Sequence, residues 1–98
     1  MIVTVFRTRL NADVDEEYSS VAERMSALAR TMPGYISHKT FTAEDGERVT
    51  LVEFESMEEQ LAWRRNPEHT EAIRMGRDTF YSELKIQVCE VLRKGESP

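Results

Sequence analysis

The stretch from Tyr35 to Glu55, YISHKTFTAEDGERVTLVEFE, decides the fold. It predicts two strands, Tyr35–Thr42 and Glu47–Glu55, joined around Asp45-Gly46, because an Asp-Gly pair between alternating segments is a strong signal for a tight hairpin. The second strand carries apolar side chains on both faces: Val49 and Leu51 on one, Val52 and Phe54 on the other. Both faces of the sheet that contains this hairpin are therefore expected to be covered.

The segments before the hairpin predict a strand and then a helix. Ile2–Leu10 alternates and is rich in β-branched residues, which is typical of a strand. A helix is expected to begin at Asp13, with Glu16 three positions later as in a capping box, and to end at Pro33-Gly34. Its apolar positions recur at intervals of four and three residues and form one stripe: Val14, Tyr18, Val21, Met25, Leu28 and Met32.

The segments after the hairpin predict two short helices and a last strand. Ser56 and Glu59 form a second capping box, and Asn66-Pro67 ends that helix and begins the next, with Asn66 as cap and Pro67 at the first position. The next helix is expected to reach Gly76. The last strand is predicted over Phe80–Leu92, with these apolar residues on one face: Phe80, Leu84, Ile86, Val88 and Leu92.

This order of elements is typical of an α+β, ferredoxin-like split βαβ fold, with helices on one face of an antiparallel sheet. Residues 1–93 are expected to form one ordered domain and residues 94–98 a tail. The face without helices would still carry apolar residues: Val3, Val5, Val49 and Leu51. We therefore expect a homodimer whose two sheets join into a dimeric α/β barrel, because two-fold dimers are the commonest closed oligomers.

The composition excludes several classes of partner. A net charge of −5 leaves no excess of Lys and Arg to neutralise phosphates, which argues against nucleic acid. The apolar runs are too short for a membrane span, and the N-terminus enters a strand pattern directly, so no signal peptide is expected. The single cysteine, Cys89, cannot form an internal disulfide and is expected to be a small buried hydrophobe. A cytoplasmic location is the resulting prediction.

The strongest candidate site residues are Trp63 and His69, which lie six positions apart across the break between two helices. Trp63 can stack on a planar ligand and donate one hydrogen bond, although a core position is the alternative. His69 lies in the first turn of its helix, where the positive end of the dipole lowers an imidazole pKa and favours a neutral proton acceptor. A surface histidine near a cap is the alternative for His69.

Arg7 is the third predicted catalytic residue, and three further residues are candidate substrate contacts. Arg7 is expected to lie in the same pocket as Trp63 and His69 and to stabilise an anionic substrate, a carboxylate or phenolate, through its planar fork, although a salt bridge across the dimer is the alternative. Tyr81 could donate to a developing oxyanion, or pack with its hydroxyl at the sheet edge. His38 and Phe54 are candidate substrate contacts, although a structural role suits His38 and a core position suits Phe54.

Several chemistries lack the residues that they need. There is no cysteine pair and no His-x-x-x-His for zinc, no glycine-rich loop for phosphate or dinucleotide, and no serine set in a nucleophile elbow. A flavin or nicotinamide domain needs a longer chain. Any redox chemistry is therefore expected to use no built-in cofactor and no metal.

Short motifs spread over nearly the whole chain carry a resemblance to a known family. They are Met32-Pro33-Gly34-Tyr35, Asp45-Gly46 in the hairpin, Glu53-Phe54-Glu55-Ser56, Trp63-Arg64, Pro67-Glu68-His69, and Phe80-Tyr81. With these motifs the chain resembles the antibiotic biosynthesis monooxygenase family of small dimeric α/β-barrel proteins. The resemblance is more specific for the fold than for the function, because the family includes quinone-forming, quinol-oxidising and haem-degrading members.

The resemblance implies a cofactor-independent reaction in which an electron-rich phenol, hydroquinone or polyketide-like aromatic is deprotonated and its anion reduces dioxygen. Trp63 matches the family's pocket tryptophan, and His69 lies where members carry a pocket His or Tyr. Arg7 replaces an Asn of the haem-degrading branch, whose axial His also lies farther from the Trp, so haem degradation is disfavoured. Binding of a small molecule without transforming it stays open as an alternative, since no unmistakable catalytic pair is present.

Overall fold

Four strands form one antiparallel sheet in the order β2-β3-β1-β4, in a computed structural model that describes residues 1–98. The elements are β1 Ile2–Leu10, α1 Asp15–Ala29, β2 Tyr35–Thr42, β3 Arg48–Phe54, α2 Met57–Arg65, α3 Pro67–Met75, a π-helical turn Gly76–Phe80, and β4 Tyr81–Glu90. This confirms the α+β, ferredoxin-like fold. None of the helices has the length and apolar character that spanning a lipid bilayer requires.

The helices cover one face of the sheet only. Thr4 of β1 lies beside Val52 of β3, and its hydroxyl accepts a hydrogen bond from the Gln60 side chain of α2. Val52 itself packs against Ala29 of α1 and Trp63 of α2. Since successive side chains of a strand point to opposite faces, the odd-numbered residues of β1 lie on the open face: Val3, Val5, Arg7 and Arg9.

The core is small and lies at the end of the sheet where β1 begins and β3 ends. Its centre is Ala29, Phe54 and Trp63, with partly buried residues packed around it: Met25, Leu28, Met32, Tyr35 and Val52. Only eight of the 98 residues are buried. A core of this size rarely supplies a large folding free energy alone, so further burial against another molecule is physically favourable.

The helix caps agree with the sequence at two of three positions. The Ser56 hydroxyl accepts from the Glu59 backbone N–H at 3.3 Å, and the Asn66 side chain accepts from the N–H groups of Glu68 and His69 at 2.9 and 3.3 Å. The predicted cap at Asp13 is wrong. The helix α1 begins at Asp15 after Val14, with no side-chain cap, and Asp13 has a left-handed φ of 62°.

The last strand begins one residue later and ends earlier than expected. Phe80 ends the π-helical turn and is buried, while β4 covers Tyr81–Glu90 and Leu92 is fully solvent-facing. The register of β4 against β1 shifts between Arg9 and Leu10, which lets Tyr81 lie beside Leu10 on the helix-covered face. Cys89 is exposed, which corrects the expectation that it is buried.

Candidate functional site

Trp63 and His69 are brought together by the sharp turn between α2 and α3. Asn66 caps α3 and Pro67 occupies its first position, so the chain reverses direction within a few residues. The indole and imidazole rings stack with centroids 4.1 Å apart and planes inclined by 25°. Trp63 is 7% exposed, and His69 is half-buried. The aromatic plate and the titratable ring of the sequence are therefore in direct contact.

The environment of His69 favours its neutral form. Burial lowers the pKa of the imidazole below its ordinary value of 6.5, and the backbone carbonyls of Arg64 and Trp63 oppose this shift only in part. The direction agrees with the expectation, although burial rather than the helix dipole is the main cause. The Nδ1 atom is buried and has no hydrogen-bond partner. A buried nitrogen without a partner is unusual in native proteins, which marks His69 as a candidate functional residue.

Phe54 supports Trp63 from behind. Its ring is fully buried, lies 6.5 Å from the Trp63 ring between centroids, and meets Tyr35 edge to face at 6.1 Å. Because no part of Phe54 is accessible, it holds the indole in place and has no surface for a substrate. Phe54 therefore occupies a core position, which was the alternative to its predicted role as a substrate contact.

His38 lies apart from the stacked pair and has a partner on each ring nitrogen. Its Nδ1 is 2.7 Å from the Tyr35 hydroxyl, and its Nε2 is 3.0 Å from the Ser26 hydroxyl of α1. Burial, and then the positive charge of Arg30, lower the pKa of His38. These contacts tie β2 to α1, which is the structural role that the sequence left open.

Arg7 does not join Trp63 and His69, and its expected place in their pocket is corrected. It lies on the open face of the sheet, beside Val49 and Lys85 in the neighbouring strands. Its guanidinium donates two hydrogen bonds of 2.9 Å to the Glu47 carboxylate. The planar fork is therefore occupied by a carboxylate of the same chain.

Tyr81 lies near the other end of the helix-covered face, among aromatic rings. It meets Phe6 at 5.8 Å and Tyr18 at 5.9 Å between centroids, both edge to face. Burial, and then the proximity of Tyr18, raise the pKa of the Tyr81 hydroxyl, while Arg48 opposes the shift. Tyr81 therefore stays protonated and can donate a hydrogen bond.

The sequence interpretation missed Arg48. Its guanidinium carbon lies 5.3 Å from the centre of the Tyr18 ring, and its Nε is buried without a hydrogen-bond partner. Arg48 has the same parity in β3 as Val52 and Phe54, which point toward the helices. That alternation was a signal that could have placed Arg48 on the inner face.

Two surface grooves are present, and none of these residues lines either of them. One, of about 380 Å³, lies between α1 and α3 beside Arg24 and Ala72, and the other, of about 490 Å³, lies beside Pro33 and Ala62. The face of Trp63 toward α3 is filled by the imidazole, so a planar ligand that stacked there would displace His69. No three His, Cys, Asp or Glu side chains lie close enough together to hold a metal ion.

An antiparallel sheet covered on one face by helices, with a stacked Trp–His pair between two short helices, defines a ferredoxin-like domain with a candidate small-molecule site. Residues 1–75 match the family profile described as antibiotic biosynthesis monooxygenase, and the chain belongs to this family.

One sequence relative is similar to this chain over most of its length, and two solved structures share its fold. The uncharacterized protein YqjZ of Bacillus subtilis is 30% identical over 90 residues, which are 92% of this chain and 79% of YqjZ. Rv0793 of Mycobacterium tuberculosis superposes with a TM-score of 0.84 at 16% identity, over 97% of this chain and 98% of that one. SnoaB of Streptomyces nogalater, a cofactor-independent oxygenase, superposes with a TM-score of 0.78 at 15% identity, over 95% and 94%.

Proposed function

We propose that this protein is a cofactor-independent monooxygenase that oxidises an electron-rich aromatic small molecule, such as a phenol, a hydroquinone or a polyketide-like compound, with dioxygen. Membership of the family and the likeness to SnoaB support monooxygenase chemistry. The observation that carries the proposal is the His69 imidazole, held against Trp63 with a buried nitrogen that has no partner.

The proposed reaction requires the protein to supply a base and to exclude water from one side of it. His69 Nδ1 takes a proton from the substrate, and the resulting anion gives electrons to dioxygen. One oxygen atom enters the product as a carbonyl and the other leaves as water, so a substrate RH₂ and O₂ give RO and H₂O. A neutral imidazole is required for the first step, and burial supplies it by lowering the pKa. Trp63 orients the imidazole and excludes water from one side of it.

Oxygen uptake tests this proposal. In air-saturated buffer, 1,4-dihydroxynaphthalene and an anthrone are expected to be consumed faster with protein than without it. His69→Ala should reduce the protein-dependent rate by about 100-fold or more, as loss of a general base does, and Trp63→Phe should also reduce it. The matched control is His38→Ala, which removes the other histidine and should leave the rate nearly unchanged. Unchanged rates in both the His69 and Trp63 variants would refute the proposed roles.

Binding without chemistry is a second candidate function. The observation that favours it is that His69 Nδ1 has no hydrogen-bond partner, so no second side chain completes a catalytic pair with this histidine. A binding protein would show saturable quenching of the fluorescence of Trp63, the single tryptophan, but no oxygen uptake. Quenching and uptake that saturate together, with the same dependence on His69, would favour the enzyme.

We further infer a homodimer in which the open face of one sheet packs against that of a second copy. The open face presents half-buried apolar side chains from β1 and β3, and the nearby Phe41 of β2 is 49% exposed. Apolar patches of this kind on small proteins mark interaction surfaces. The expected cytoplasmic location and the expected absence of nucleic-acid and membrane partners stay predictions.

A further inference from the structure

Arg48 differs from every other arginine of the chain. Arg7, Arg9 and Arg74 each contact a carboxylate. The arginines without a carboxylate partner are otherwise exposed: Arg24, Arg30, Arg64, Arg65, Arg77 and Arg93. Arg48 alone combines three properties: it is half-buried, it has no carboxylate within ion-pair distance, and it keeps a buried Nε–H without an acceptor.

The surroundings of Arg48 supply donors and aromatic rings. Tyr18 presents its ring to the guanidinium, and the Tyr81 ring meets Tyr18 at 5.9 Å and 69°. Phe6 and Phe80 complete the cluster, each edge to face with one of these tyrosines. The buried Nε–H of Arg48 is costly without an acceptor, and the π face of Tyr18 compensates only in part.

We propose that Arg48, Tyr18 and Tyr81 form a binding site for the carboxylate of an aromatic acid. A carboxylate matches the planar fork of Arg48 and would take the unused Nε–H, while the phenol hydroxyls donate to the same oxygens. One cation with two neutral donors suits a single negative charge, and the four surrounding rings favour an aromatic body. Tyr81 serves as a donor because its environment keeps the hydroxyl protonated.

This site is separate from Trp63 and His69. Arg48 and Phe54 stand at opposite ends of β3, six residues or roughly 20 Å apart in an extended strand, and Trp63 packs on Phe54. The inference therefore goes beyond the proposed oxidation, and its test needs no turnover.

Calorimetric titration at a pH of about 8 with two probes tests the site: 1-naphthoate and the neutral 1-naphthalenemethanol, which share a ring system. Wild type is expected to bind the acid at least about tenfold tighter than the alcohol, in line with a hydrogen bond to a charged group. Arg48→Met should abolish this preference without weakening the alcohol. The control Arg24→Met removes an exposed arginine of α1 and should keep the preference.

Tyr81→Phe is a second test variant that is expected to fold normally, because it keeps the ring contacts and removes only the hydroxyl. It is expected to weaken the acid by about 3- to 10-fold and to leave the alcohol unchanged. A merely structural role of these residues would lower the unfolding temperature but would not change the ratio of the two affinities. Equal binding of the two probes by wild type, no binding of naphthoate, or a preference that survives Arg48→Met would each overturn the proposal. Loss of oxygen uptake in His69 variants has no bearing on this ratio, so the two proposals fail separately.

Discussion

His69 and His38 make the stability of the folded chain depend on pH. For His69 this dependence is separate from its role in the proposed reaction. Burial lowers the pKa of His69 and of His38 below 6.5 in the folded state. Below pH 6.5 the unfolded chain therefore binds more protons than the native chain, and stability falls as the pH falls. The acidic groups with lowered pKa, Asp45, Glu71 and Glu83, have ordinary values of 3.8 to 4.5 and titrate below this window.

We expect the urea midpoint to be lower at about pH 5.5 than at about pH 7.5, because the histidines are held neutral in the native state. His69→Gln should remove part of this difference, and His38→Gln another part. Denaturation curves of the wild type and the two variants at both pH values provide the measurement. A midpoint that rises on acidification would contradict the assigned direction. A difference that survives in a variant carrying both substitutions would contradict its assignment to the histidines.

At the same scale, the sequence contained the evidence that separates Arg7 from Arg48. Arg7 lies on the same face of β1 as Val3 and Val5. The fold prediction had already assigned that face to the side without helices, so a position for Arg7 beside Trp63 conflicted with it. The partner of Arg7, Glu47, lies 40 residues away, and no local pattern identifies it. The contact of Trp63 with His69 could be predicted, because a capped turn joins two adjacent helices.

At the scale of elements, the start of α3 positions His69, and Asn66 determines that start. Asn66→Ala removes the acceptor for two backbone N–H groups. It is expected to lower the free energy of unfolding by about 1 kcal/mol and to shift the emission of Trp63 as the stacked imidazole loosens. Urea titration followed by fluorescence measures both effects.

The matched control for Asn66 is Asp13, whose side chain the sequence predicted as a cap. Asp13→Gly suits the left-handed φ of 62°, so it should be neutral or should stabilise the protein by up to about 1 kcal/mol. A loss of stability equal to that of Asn66→Ala would show that Asp13 does cap α1. The capping box at Asp13 and Glu16 misled because the same residues also suit the turn that precedes a helix.

Gly76 sets the position of Tyr81 at the end of α3. A β-carbon at residue 76 would collide with the ring of Tyr81, although the backbone there is helical and would otherwise accept alanine. Gly76→Ala is therefore expected to destabilise the protein by about 1 to 3 kcal/mol, as overpacking does. A helical glycine without this contact would instead gain stability on the change to alanine. Thermal unfolding distinguishes the two signs.

The irregular end of α3 also shows where the sequence stops being informative about elements. Periodicity correctly predicted four strands and three helices in order, because each is long enough to repeat its pattern. It could not predict the π-helical turn or the register shift beside Arg9, since each is a single local irregularity without a repeating pattern. Phe80 was assigned to the strand for that reason and is instead buried in the turn.

At the scale of the whole molecule, the slab shape of the protomer makes the open face the decisive surface. The principal extents are 39 × 32 × 21 Å. The protomer is thin because helices cover only one side of the sheet. Leu51 lies near the middle of that side, between Val5 of β1 and Lys39 of β2. In the proposed dimer each copy contributes a Leu51, so one substitution is counted twice by symmetry.

Leu51→Glu should therefore convert the dimer into a monomer of 11.4 kDa, because a buried leucine is worth about 1.5 to 3 kcal/mol and each interface would lose two. Lys39 can pair with the new carboxylate inside one chain, so folding of the protomer should survive. The control is Ile86→Glu, which changes an apolar residue that is 43% exposed on the helix-covered side of β4 and should leave the dimer intact. Sedimentation equilibrium measures the masses. A wild type that sediments as a monomer, or a Leu51→Glu variant that stays dimeric, would exclude sheet-to-sheet packing, and the open face would then need another occupant to shield its apolar side chains.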